Sequence, residues 1–217
     1  MKYFFQGVSI ILHPLLMPLL GFAIFFETQT IPRSLILLDA LYYFPAKAKE
    51  GIYMVMAILT ILAPGLSLLI MYWNKMISDL ELSKRKERFY PFVLIIFYYG
   101  LAFGFLKMKV DPSFQHPAMM SFIFGIILVF AVSFLLNFYV KLSMHAAGIF
   151  GVAGAVTAYF QTQAAFEIEC LIYLLICGGL VGTSRMFLKA HSLKETMFGI
   201  AVGFFVMFLS VKYSIYI

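Results

Sequence analysis

The sequence predicts an all-α, polytopic transmembrane helical bundle of six to seven spans, and three observations carry that reading. Hydrophobic residues make up 63% of the 217 residues and charged residues 12%, whereas a water-soluble domain would be about half apolar and about a quarter charged. The apolar residues form continuous runs near the ~20 residues that cross a hydrocarbon core, not the alternating stretches of a membrane barrel. Phe (25) and Tyr (13) are abundant, as suits side chains that face lipid tails and headgroups.

Seven runs qualify, at 4–26, 51–73, 91–108, 119–140, 147–165, 168–183 and 195–214. The third and sixth are short. The first is too long for a signal-peptide core and lacks a small-residue cleavage site, so it reads as a retained span. Pro14, Pro18 and Pro64 are placed to kink their helices. The length suits one integral membrane domain over residues 1–217. Gly148, Gly151 and Gly154 recur in the fifth run, Gly178, Gly179 and Gly182 in the sixth, and Gly199 and Gly203 form a GxxxG in the seventh. Small residues let helix backbones approach closely, so the last three spans are expected to form the packed centre.

The connections are informative. Residues 27–50 are apolar but interrupted and are expected to lie in the membrane interface or to re-enter. Residues 74–90 are the most charged segment, and 141–146 (KLSMHA) and 184–194 (SRMFLKAHSLK) are basic. If the spans alternate, these three connections share one face with the N-terminus, and 27–50, 109–118 and 166–169 share the other. That parity gathers the Arg, Lys, His and Ser residues at one boundary. The net charge of +6 therefore reports topology and attraction to phosphate or anionic lipid, and no nucleic-acid partner is expected. Cys170 and Cys177 share a helix face two turns apart, too far to bridge, and read as small packing residues. His13 reads as a hydrogen-bonded packing residue, and His116 lies on the opposite face from the basic loops.

The basic face offers Lys84, Arg85, Lys86, Arg88, Ser143, His145, Ser184, Arg185, Lys189, His191 and Glu195. Zinc-ligand spacing is missing, as are acidic clusters suited to Mg²⁺, so the chemistry expected is metal-free and cofactor-free handling of a phosphate. Phosphoryl transfer needs cations on the equatorial oxygens, for which Arg forks are better shaped than Lys point charges. A neutral imidazole can attack phosphorus, and a second, protonated one can protonate the leaving oxygen. His191 and Glu195, at i and i+4, can touch on one helix face, so the carboxylate can fix the imidazole tautomer.

Ser184-Arg185-x5-His191-x3-Glu195 resembles the third signature of the type 2 phosphatidic acid phosphatase superfamily, S-R-x5-H-x3-D. Ser143-Met144-His145 is similar to the second, P-S-G-H, and the basic stretch ending Arg88-Phe89-Tyr90-Pro91 to the first, K-x6-R-P. The resemblance covers about residues 80–200, the expected phosphatase-like core. It implies His191 as the nucleophile that forms a phosphohistidine, His145 as general acid and Glu195 as the group that orients His191. It implies Arg185 and Ser143, with neighbouring Ser184, as phosphate ligands, and Arg85 and Arg88 in place of the first signature's Lys and Arg. The chain departs from the pattern at Leu142 (Pro in the family), Met144 (Gly) and Glu195 (Asp), and its first signature fits only in a shifted register.

The function expected is a membrane lipid-phosphate phosphatase cleaving a phosphomonoester or pyrophosphate headgroup. Undecaprenyl pyrophosphate, phosphatidylglycerol phosphate, phosphatidic acid and a lipid A phosphate are candidate substrates. The resemblance implies a compact bacterial member in the inner membrane with its site on the periplasmic side. The charge count is neutral on this point: ten of the sixteen Lys and Arg lie on the basic face, and removing Arg85, Arg88 and Arg185 leaves seven against six. Two alternatives remain, a lipid phosphotransferase using the same histidine and an anion or lipid transporter.

Overall fold

The computed structural model describes residues 1–34, 36 and 39–216. Its helices are α1 (Lys2–Ile11), α2 (Met17–Glu27), α3 (Ala46–Met56), α4 (Ala63–Trp73), α5 (Phe89–Lys109), α6 (Pro117–Leu136), α7 (Met144–Phe160), α8 (Glu169–Phe187) and α9 (Leu193–Lys212). Two short strands, β1 (Thr30–Pro32) and β2 (Gln163–Phe166), pair antiparallel. Among the described residues six helical segments are long and apolar enough to cross a membrane: Lys2–Glu27, Ala46–Trp73, Arg85–Lys109, Pro117–Leu136, Glu169–Phe187 and Leu193–Lys212. The protein is an integral multi-pass membrane protein. The two runs that look short in sequence, the third and sixth, become helices of 21 and 19 residues.

The fifth run behaves differently. Its helix, α7, is only 17 residues long and ends at Phe160, because the expected continuation to 165 is used by β2. α7 is wrapped by protein along most of its length, and Ala146, Ala147, Ile149, Ala155, Val156 and Ala158 are fully covered. A helix shielded by its neighbours need not match the bilayer thickness on its own. α9 lies against it backbone to backbone: a Cβ at Gly203 would collide with the Ala147 carbonyl, and one at Gly199 with the Ser143 carbonyl. The GxxxG of the seventh run is therefore an α7–α9 seam.

Prolines shape two spans. Pro14 cannot donate a backbone hydrogen bond, and it forces His13 into an extended conformation, so the first span breaks between α1 and α2. The Nδ1 of His13 accepts from the Leu15 N–H at 3.3 Å and caps the 3₁₀ turn Pro14–Leu16. Pro64 is preceded by a widened π-helical stretch, Ala57–Leu62, where Thr60 Oγ1 donates to the Met56 carbonyl at 2.7 Å.

Hydrogen bonds place the connections at two ends. At one end β1 pairs with β2, the His116 ring bonds the Asp39 carbonyl, and Tyr159 Oη accepts from the Leu41 N–H. The 27–50 connection lies here, with Ala40, Leu41 and Phe44 buried; the part of the interfacial expectation that falls on residues 35, 37 and 38 is outside the described residues. At the other end Arg185 pairs with Glu81, His191 bonds the Lys141 carbonyl, and Arg88 donates to the Leu142 carbonyl. The three basic loops thus meet at one end of the bundle, as alternation requires. The cysteines are free and pack partly buried against the core.

Candidate active site

A cavity opens where these loops meet. One part of its wall is polar and built by His13, Glu81, Arg88, His145, Arg185 and His191. The rest is apolar and includes Leu15, Leu68, Phe92, Ile95, Phe130 and Met144. Residues from six separate parts of the chain therefore surround one space.

α5 begins at Phe89, and its buried stripe runs Phe92, Ile95, Tyr99, Ala102 and Leu106 at helical spacing. Arg88 stands one turn before Phe92, so the helix that buries this stripe carries the guanidinium into the same interior. It is 4% exposed, and its Nε and Nη1 donate to the carbonyls of Leu82 (2.9 Å) and Leu142 (3.1 Å). Arg185 comes from the last turn of α8. Its Nη1 donates to Ser9 Oγ at 3.0 Å and its Nη2 to Glu81 Oε2 at 2.9 Å. Its Nε is buried and has no partner among the described residues. An unpartnered charged donor in a buried site is costly unless a ligand completes it.

His191 sits between α8 and α9. Its Nδ1 lies 3.2 Å from the Lys141 carbonyl and 3.3 Å from Glu195 Oε2. Both partners only accept, so Nδ1 carries the hydrogen and Nε2 keeps its lone pair. Burial, and then the cations Arg88, Lys141 and Arg185, lower the His191 pKa to about 4 against the upward pull of Glu195. The ring is therefore neutral at pH 7. Glu195 also accepts from the Ser192 N–H at 2.9 Å, while Ser192 Oγ accepts from the Glu195 N–H at 3.3 Å. This capping box starts α9 and fixes the carboxylate beside the imidazole.

His145 lies in the first turn of α7, capped by Ser143. The α7–α9 seam brings that turn to the start of α9, where the Ser143 N–H donates to the Glu195 carbonyl at 3.1 Å. His145 Nε2 is 3.2 Å from the Ser9 carbonyl, so that nitrogen is the protonated one.

Three sequence expectations need correction. Arg85 does not reach the cavity. It precedes the buried stripe by a further turn, donates to the Tyr139 carbonyl at 3.1 Å, and lines a separate outer groove with Phe134 and Phe138. Ser143 does not line the cavity either: its hydroxyl is the α7 N-cap, accepting from the Ala146 N–H at 3.4 Å. Ser184 Oγ donates to the Phe5 carbonyl at 2.8 Å and shares a hydrogen bond with Ser9, which ties α8 to α1 and leaves it off the wall.

Sequence reasoning missed four participants. His13 is on the cavity wall, its ring edge-to-face with His145 at 5.2 Å between centroids. Ser9 and Glu81 hold Arg185, and the Lys141 carbonyl holds His191. One signal was available for His13, since an ionisable residue beside a proline within an apolar span is a functional candidate by default. No spacing rule points to Ser9 or Glu81.

Residues 132–216 match the family model described as the PAP2 superfamily. The match bears out the resemblance to the type 2 phosphatidic acid phosphatase superfamily; it contains the second and third signatures and begins after the first. At a coarse level it supports phosphatase or phosphotransferase chemistry on phosphorylated substrates, acting as a phosphoric ester hydrolase. No curated protein and no solved structure matches the chain.

Proposed function

We propose, from the PAP2 superfamily match and the convergence of both histidines with Arg185 on one cavity, that the protein hydrolyses the phosphate ester or pyrophosphate headgroup of a membrane lipid through a phosphohistidine. The observation that carries this reading is the His191 tautomer. Nδ1–H is held by Lys141 and Glu195, which leaves the Nε2 lone pair as the nucleophile beside a buried guanidinium with an unused donor.

In the proposed reaction Nε2 of His191 attacks phosphorus, forming a P–N bond as the bond to the leaving oxygen breaks. His145 protonates that oxygen. With Nε2–H engaged by the Ser9 carbonyl, the ring first takes up a second proton at Nδ1, from solvent or from the hydroxyl of the entering phosphate, and that proton is the one transferred. Water then attacks the phosphohistidine and loses its proton to His145, and the P–N electrons return to His191. The sum is ester plus water giving alcohol plus phosphate. Arg185 and Arg88 neutralise the equatorial oxygens. The apolar wall next to the polar end suits a headgroup with its tail attached. Undecaprenyl pyrophosphate, phosphatidylglycerol phosphate, phosphatidic acid and lipid A phosphates all have that chemistry. The site would face away from the cytoplasm in a bacterial inner membrane.

The test is phosphate release from a panel of these lipids by purified protein, with and without EDTA and with added alcohol acceptors. Hydrolysis that EDTA leaves unchanged supports the reading. Phosphoryl transfer to an acceptor in place of water supports the phosphotransferase, and lipid flux without any phosphate release supports a transporter.

Two substitutions probe the supporting carboxylates. Glu195→Gln keeps the capping geometry, and the Lys141 carbonyl still fixes Nδ1–H. The expected loss in kcat is therefore only ~10-fold, well short of the ~10⁴-fold seen when a triad carboxylate alone sets the tautomer. Glu81 occupies Arg185 Nη2, where a phosphate oxygen would bind. Glu81→Gln is expected to tighten inhibition by inorganic phosphate by ~5- to 10-fold, because a competing anion is removed.

A further inference from the structure

We propose that His13, on the broken first span and outside the matched segment, is a substrate-binding residue whose Nε2–H donates to a phosphate oxygen. The inference rests on the phosphohydrolase reading and extends its site to a part of the chain that the signatures do not cover.

The break itself makes the residue available. In an unbroken helix His13 would be one side chain among apolar ones. Pro14 ends the hydrogen-bonded ladder, and the chain passes extended through His13 before re-entering a helical turn. The imidazole folds back so that Nδ1 accepts from the Leu15 N–H. A neutral ring that accepts at Nδ1 carries its hydrogen on Nε2. That nitrogen has no protein partner among the described residues, and the ring lines the cavity with Arg185 and His191.

The same segment serves the site in other ways. Four residues earlier, Ser9 Oγ accepts from Arg185, and the Ser9 carbonyl accepts from His145. The His13 ring stands edge-on to His145, with an interplanar angle of 84°. The first span thus positions both the guanidinium and the second imidazole, and it places a third imidazole against them. Capping a 3₁₀ turn needs only a short acceptor, which Asn or Ser supplies. An imidazole adds a donor on the far side of the ring, and the residue that carries it lines the cavity.

Two variants separate capping from binding. Asn puts an oxygen near the place of Nδ1 and nothing near Nε2, whereas Gln reaches toward Nε2 with an amide N–H. Full-length purified protein would be assayed for kcat/KM on a lipid phosphate, and for direct binding of orthovanadate by thermal shift. His13→Asn is expected to lower kcat/KM and to weaken orthovanadate binding, each by ~10- to 100-fold, as for a lost hydrogen bond to a charged group. His13→Gln should stay within ~3-fold of the parent, since its amide N–H replaces that bond. If His13→Asn does not fold, His13→Ser, with the same capping acceptor, takes its place.

Parental values in the capping-only variant, or equal losses in both folded variants, would overturn the proposal. Turnover in the parent that depends on His191 but not on His13 sinks this inference alone. A parent that releases phosphate from no lipid sinks the phosphohydrolase reading, and orthovanadate binding then still decides whether His13 contacts the anion.

Discussion

Replacing His191 with alanine is expected to abolish phosphate release, with kcat falling by at least ~10³-fold, while the protein still inserts and folds. The structural cost is small because His191 is in a connection rather than in a packed span. The capping box between Ser192 and Glu195 that starts α9 does not need it. The chemical cost is total within the proposed reaction, because Nε2 is the atom that bonds phosphorus. The direct readout is an acid-labile phosphoenzyme, present in the parent after quenching and absent from the variant. Full activity in the variant removes the mechanism.

The pH dependence follows from the same residue. An ordinary histidine protonates near 6.5, but His191 is held at about 4 by burial and by its cationic neighbours. Protonation removes the lone pair, so kcat/KM should fall on the acid side through about pH 4 rather than pH 6.5 in the free enzyme. Arg88 is the largest of the charged neighbours that lower it. Removing that positive charge favours the protonated ring, so Arg88→Gln should move the acid limb upward. A limb that stays in place would show that Arg88 does not set it.

The second large effect is expected at Arg185. Arg185→Lys keeps the charge but loses the planar fork, and with it the simultaneous reach to Ser9, Glu81 and the cavity. A drop in kcat/KM of ~10²- to 10³-fold is expected, the range seen when one preorganised oxyanion donor is removed. Arg185→Ala should lose more activity without unfolding the bundle, because its partner Glu81 is more than half exposed and can return to water. Circular dichroism together with activity on one phosphorylated lipid separates the two contributions.

Much of the fold was legible in the sequence because a bilayer imposes one demand on every segment: its backbone groups must be satisfied internally over a fixed thickness. Run length therefore located the spans, including the third and sixth, and alternation put the three basic loops on one side. The fifth span was misjudged at its end, because Gln163–Phe166 pairs with Thr30–Pro32, and such pairing has no signature in either segment. Within the site, His191, Glu195, Arg185 and His145 were legible because their spacing repeats a family pattern. Arg85, Ser143 and Ser184 were misplaced for a shared reason. Sequence proximity to a motif says nothing about which backbone group will engage a side chain, and these three found partners away from the cavity.

The sequence by itself determined the membrane class and the grouping of the charged loops, since each depends on composition or run length. Only the tertiary structure decided which residues meet. Arg88 enters the cavity because α5 buries the stripe that follows it, and Arg85, three residues earlier, stays outside. Ser9, His13 and Glu81 meet residues more than a hundred positions away, in a bundle where a proline breaks the first span and α9 approaches α7 closely at Gly199 and Gly203. Those contacts are set by backbone geometry acting over long sequence separations, and no local pattern along the chain encodes them.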